Sequence, residues 1–137
     1  MTDRPSARAT TTQTPGRFLL SARQVHFVAD ASRARGGPAE APVAAELFLS
    51  SLAACSLAVI ADTARSQGVG LPSVEVATSY EVDPADGTRF ARVALDFRFA
   101  GVPSGQAEAL VQVFKDVCPI YNTVARTTPV EITVTGE

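Results

Sequence analysis

The run from Val43 to Ala61 contains a single charged residue, Glu46, and is otherwise built from Ala, Val, Leu, Ile, Phe and Cys broken only by Ser50, Ser51 and Ser56. An apolar stretch of this length raises a membrane span. The carboxylate and the three serines inside it, and the lack of any basic flank beyond Arg65, favour a buried helix of a soluble protein instead. The helix is expected from about Pro42 to Gln67, with Pro42 in its first turn, where a missing N–H costs nothing. Gly68 and Gly70 end it and Pro72 prevents its resumption. A helix apolar nearly all round must be buried on most sides. A chain of 137 residues supplies too few neighbours for that, so a homodimer is expected in which a second copy covers the rest.

The remaining elements follow from periodicity. Phe18 to Ala29 reads as two short strands, or one bent strand, with Arg23-Gln24 near the bend. Ala31 to Ala41, with Arg33, Arg35, Gly36, Gly37 and Pro38, reads as a loop. Val74 to Val82 alternates, with Val74, Val76, Thr78 and Tyr80 on one face, and Phe90 to Phe99 places Val93, Leu95, Phe97 and Phe99 on another. The turn Pro84-Ala85-Asp86-Gly87 between them makes a hairpin. Ser104 is a candidate cap for a second helix with Ala107, Leu110, Val111 and Phe114 on its apolar stripe. Pro119 breaks that helix. A short helical turn over Ile120 to Arg126 and a strand with Val130, Ile132 and Val134 complete the chain. Strands and helices are segregated, which gives an α+β class with an antiparallel or mixed sheet. Residues 1–16, polar and without an apolar signal core, are expected to be a flexible leader, and 17–137 a single domain.

Composition narrows the chemistry. With 46% hydrophobic and 19% charged residues and a formal net charge of −2, the chain can bury a core and offers no electrostatic capture of nucleic acid or of an anionic membrane. A cytoplasmic location is expected, where a cysteine pair is more often redox-active or incidental than a structural disulfide. One histidine, His26, and two cysteines cannot make a usual four-ligand zinc site, and Gly36-Gly37-Pro38 lacks the Lys-Ser/Thr of a phosphate loop. Neither a metal nor a cofactor is expected. Cys55, in mid-helix beside Ala53 and Ala54, reads either as a small core residue or as a thiol with room for close approach. Cys118 lies where one helix stops and Pro119 opens the next, and a helix N-terminus favours thiolate. A buried, inert Cys118 is equally compatible with that position.

Taken together, Gly36-Gly37-Pro38, the run Glu46-Leu47-Phe48-Leu49-Ser50-Ser51-Leu52-Ala53-Ala54-Cys55, and Cys118-Pro119-Ile120-Tyr121 make a pattern that resembles the OsmC/Ohr family. The Glu-Leu form is similar to that family's less characterised branches. The resemblance implies an intertwined dimer with two long central helices wrapped by sheets from both chains. It also implies a thiol-dependent peroxidase that reduces organic hydroperoxides in a stress response, regenerated by a dithiol reductant. Carried across, Cys55 is the peroxidatic thiol, Cys118 the resolving one, and Arg35, with Arg33 as rival, the guanidinium that holds the thiolate. Phe48, Leu52, Phe114 and Tyr121 would line the peroxide site, or else are plain core. The family's catalytic Glu stands ten residues before the cysteine, a position occupied here by Ala45. The candidate acid Glu46 stands nine before it, about half a revolution round a regular helix. Either the first turn is irregular or Glu46 has another task, such as an inter-subunit salt bridge. The alternative function is a redox-responsive or small-molecule-binding module on the same fold, without turnover.

Overall fold

A computed structural model describes residues 4–71 and 73–137, so Pro72, expected to block the long helix from resuming, lies outside the described residues. The chain divides into two compact units, one up to Phe48 and one from Leu49 onward.

The first unit is an antiparallel three-stranded sheet of β1 (Arg8–Thr11), β2 (Arg17–Ala22) and β3 (Val25–Asp30), in that order. The bend at Arg23-Gln24 is a two-residue turn, and Arg23 takes a left-handed backbone with φ 56° that suits the twist of such hairpins. β1 corrects the expectation of a flexible leader over residues 1–16. Its sequence, Arg-Ala-Thr-Thr, is fully exposed and carries no apolar alternation, and its order comes from pairing Arg8 to Thr11 with Ser21 to Phe18. Between β3 and the long helix the chain forms a loop with one 3-10 turn, Arg33–Arg35. A Cβ on Gly37 would overlap the Ala31 carbonyl, which explains a glycine at that position.

This loop is held to the sheet by one buried carboxylate. The Asp30 side chain has no exposed surface and accepts hydrogen bonds from Arg17 Nε (2.8 Å) and Nη2 (2.9 Å) and from the backbone N–H of Glu40 and Ala41, both 2.9 Å. The Arg17 bonds, opposed by desolvation and reinforced by the two backbone donors, hold the Asp30 carboxyl well below the usual carboxylate range. A carboxylate depressed in the fold contributes stability that is complete above its unfolded pKa of about 3.9 and is lost as pH falls below it. Asp30→Asn is therefore expected to lower the melting temperature by several degrees at pH 7, and to flatten its fall as pH drops from about 5 toward 2. Melts that superimpose on wild type at both ends of that range would rule out this role.

The long helix α1 (Ala44–Gln67) starts two residues later than expected, and the Pro42 carbonyl is engaged instead by Asp30 N (3.0 Å). Its end follows a Schellman pattern: Gly68, at φ 70°, donates to Arg65 O and Val69 to Ala64 O. The expectation that the helix is buried on most sides does not hold within one chain. Only Leu52, Ser56, Ile60 and Ala64, an i, i+4 stripe, are buried. The helix is long and apolar enough to cross a membrane, yet 17% of its apolar window is buried by its own chain. Ser50, Ala54, Ala58 and Ala61 form an exposed band of small residues.

The second unit holds a mixed sheet in the order β4 (Ser73–Val82), β5 (Phe90–Ala100), β6 (Val130–Thr135), with β4–β5 antiparallel and β5–β6 parallel. A parallel neighbour requires a crossover, supplied by α2 (Ser104–Val117) and α3 (Pro119–Ala125). The alternation of β5 reads out as expected: Val93, Leu95, Phe97 and Phe99 are buried, as are Ala107, Leu110, Val111 and Phe114 of α2. Phe97 and Phe114 meet with ring centroids 6.0 Å apart. Full burial of each such side chain is worth roughly 1.5–3 kcal/mol. Ser104 does not cap α2. Pro103 is the cap residue, and the Ser104 hydroxyl donates to Gly136 O (3.4 Å). The α+β class stands.

Candidate functional site

α2 ends because Pro119 cannot continue it, and the chain turns directly into α3. Cys118 sits at the joint, closing α2 with its N–H on Phe114 O (3.0 Å) and serving as the N-cap of α3. A cap residue ordinarily presents a side-chain acceptor to the orphan N–H groups of the first turn. Here the acceptor is sulfur: Tyr121 N–H donates to Cys118 Sγ (3.4 Å). An N–H aimed at sulfur favours its thiolate. Asn122 pins the joint from below, its amide donating to Lys115 O (3.0 Å) and Cys118 O (2.8 Å). Asn122 is a residue that reading the sequence missed. An Asn four residues after a helix-breaking Cys-Pro was the available signal.

Cys118 has no exposed surface, and neither has Phe114. Tyr121 stacks obliquely on Phe114 with centroids 5.1 Å apart, and burial raises its phenol pKa, keeping it neutral. Opposite this joint stands Cys55 on α1, half-buried, between the buried Leu52 and Ser56 and the exposed Ala54 and Ala58. Ser56 turns its hydroxyl to Ala53 O (2.7 Å), satisfying itself on its own helix. Cys55 and Cys118 are joined in a disulfide, with Cα atoms 6.7 Å apart, inside the usual range of about 4.4–6.8 Å. Two segments 63 positions apart thus bring both cysteine sulfurs of the chain into direct bond contact. The arrangement can store and release one pair of electrons.

The other candidates fall differently. Leu52 and Phe114 are core within this unit, while Tyr121 borders the sulfur of Cys118 through its backbone. Arg33 and Arg35 are exposed on the 3-10 turn of the first unit, and Phe48 is half-buried at that unit's end. Glu46 has a task that reading the sequence did not weigh. Its Oε1 accepts the N–H of Val43 (2.9 Å), the residue preceding the helix, as the glutamate of a capping box does. Among the described residues there is no cluster of three His, Cys, Asp or Glu that could hold a metal ion.

The family model for OsmC-like protein matches residues 37–133. No curated protein gives a significant match. Among solved structures, an OsmC-like protein from Mycoplasma pneumoniae superposes with a TM-score of 0.85 at 15% identity, covering 99% of each chain. An organic hydroperoxide resistance protein from Legionella pneumophila gives 0.75 at 25% identity over 97% of each chain. A putative organic hydroperoxide resistance protein from Vibrio cholerae, with captopril in one of its active sites, gives 0.74 at 27% identity over 98% of this chain and 94% of that one.

Proposed function

The chain belongs to the OsmC-like protein family, and from that premise we propose that it is a thiol-dependent peroxidase that reduces organic hydroperoxides with Cys55 and Cys118. The observation that carries the reading is the bridged pair itself, a half-open thiol on a long helix joined to a closed one at a helix joint. The relation to organic hydroperoxide resistance proteins supports the substrate class.

In the first step the Cys55 thiolate attacks the distal peroxide oxygen. The O–O bond breaks, the alkoxide takes a proton from solvent and leaves as the alcohol, and Cys55 becomes a sulfenic acid. The Cys118 thiolate then attacks the sulfenic sulfur and hydroxide departs as water, giving the disulfide. A dithiol reductant returns two electrons and two protons by exchange. Arg35, or Arg33, is proposed to hold the Cys55 thiolate, and Phe48 to contribute to the apolar wall. The protein is proposed to be cytoplasmic, to act as a homodimer and to be a single OsmC-like domain in function, since the structural neighbours are covered across both units.

The capping contact of Glu46 favours the second reading, a redox-responsive or small-molecule-binding module without turnover, because the carboxylate already serves the helix start. One experiment separates the two. Reduced protein given about one equivalent of cumene hydroperoxide is expected to lose two thiols together and gain an intramolecular disulfide. Cys118→Ser is expected to stop at a sulfenic acid on Cys55 that a dimedone-type reagent captures. Two thiols still free in wild type after the titration would replace the peroxidase with the module.

A further inference from the structure

We propose that the exchange reopening the disulfide runs in one direction: the incoming thiolate attacks Cys55 Sγ, and Cys118 departs as the thiolate. The proposal rests on the exchange chemistry above and goes beyond it in assigning the two sulfurs different roles during reduction.

Displacement at a disulfide needs an open approach to the sulfur attacked and a leaving thiolate that tolerates its charge. The two sulfurs divide these requirements. Cys118 has no exposed surface, and the burial comes from its own chain, with Phe114 fully buried and Tyr121 nearly so. A second copy laid on the molecule can add to that burial and cannot relieve it. Cys55 is only half-buried by the same chain. Of the two, Cys55 is therefore the residue that its own chain leaves partly open, whereas Cys118 is closed whether or not a second copy is present.

The leaving group is equally marked. Tyr121 N–H points at Cys118 Sγ (3.4 Å) and meets the negative charge as the S–S bond breaks. Asn122 fixes the backbone carbonyls of Cys118 and Lys115, so the donor stays in place while the charge develops. In the first step a thiolate of the reductant forms a bond to Cys55 Sγ, the Cys55–Cys118 bond breaks, and its electron pair leaves on Cys118. The reductant's second thiol then loses its proton to solvent and attacks the reductant sulfur of the mixed disulfide. Cys55 departs, and the reductant leaves as its own disulfide. The covalent intermediate is thus always on Cys55, and the reductant must reach a sulfur lying on a helix flank.

The test starts from the full chain oxidised with diamide, so it does not depend on peroxide. The disulfide form is mixed with 2-mercaptoethanol, quenched in acid, alkylated with N-ethylmaleimide in denaturant, and read by peptide mass. The expected product carries mercaptoethanol on Cys55 and maleimide on Cys118, in about tenfold excess over the reverse. Mercaptoethanol on Cys118, or equal amounts on both, overturns the proposal. A second measurement covers an adduct that Cys118 recloses too fast to collect. An incoming disulfide needs the same open approach to a sulfur as an attacking thiolate does, so the reduced variants Cys118→Ser and Cys55→Ser are each mixed with 5,5′-dithiobis(2-nitrobenzoate). Cys55 is expected to react about tenfold or more faster than Cys118, and equal or reversed rates overturn the assignment. Loss of the peroxidase reading in the titration above would leave either result standing.

Discussion

Cys55→Ser is expected to lower the rate of organic hydroperoxide reduction by roughly a thousandfold or more, to the level of the uncatalysed reaction with Cys118 alone. Removing a nucleophile takes away the bond-making step itself, and effects of that class exceed those of any orienting group. Cys118 cannot substitute. It is sealed by its own chain, while the Cys55 side of the bond lies on the partly open helix α1. The serine hydroxyl is close in size to the thiol and sits in mid-helix, so the fold should persist. The measurement is peroxide loss under single turnover, with melting temperature recorded in parallel. A variant that still consumes peroxide at more than a few per cent of the wild-type rate would move the reactive sulfur elsewhere and sink the proposed mechanism.

The second large effect concerns assembly. Ala58→Arg is expected to raise the dissociation constant of the proposed homodimer about a hundredfold or more, the scale of a central interface residue. Ala58 is exposed in the single chain and belongs to the band of Ser50, Ala54 and Ala61, so an arginine there disturbs no packing within its own unit. Across a helix pair it would force apart backbones that small residues let approach, and would place a charge against apolar surface. An obligate interface, above roughly 2,000 Å², could not absorb that. Sedimentation at micromolar concentration reads the result. A variant that sediments as wild type, or a wild type that is a stable folded monomer, would refute the interface on this band.

The strands and the second helix were legible because their period is imposed by burial on one side. Val93 to Phe99 alternates, and Ala107, Leu110, Val111 and Phe114 repeat at helical spacing; both sets are buried. β1 was not legible, because Arg8–Thr11 takes its order from hydrogen bonds to β2 and not from any side-chain pattern of its own. The start of α1 was misplaced for a similar reason: nothing in the local sequence says that Pro42 gives its carbonyl to Asp30. The candidate site was legible in part. Neither cysteine announced itself singly, and the pairing of Cys55 with Cys118 came from resemblance. The Tyr121 N–H that meets the sulfur is a backbone group, which no residue type encodes. The contact of Glu46 with Val43, three residues before it, is not marked in the sequence, because valine is a poor N-cap signal.

The bond between Cys55 and Cys118 closes a span of 63 positions. A cross-link of that span restricts the unfolded ensemble by about 4 kcal/mol in the chain-entropy account. Each catalytic round would then alternate the polypeptide between a ring that resists heat and proteolysis and an open thread nearer to melting. In the proposed cycle the form waiting for oxidant would be the softer one, and the form that has just met it the tougher. Under the proposed cycle, a shortage of reducing equivalents would leave the protein in its durable state, a reserve that one exchange would return to use.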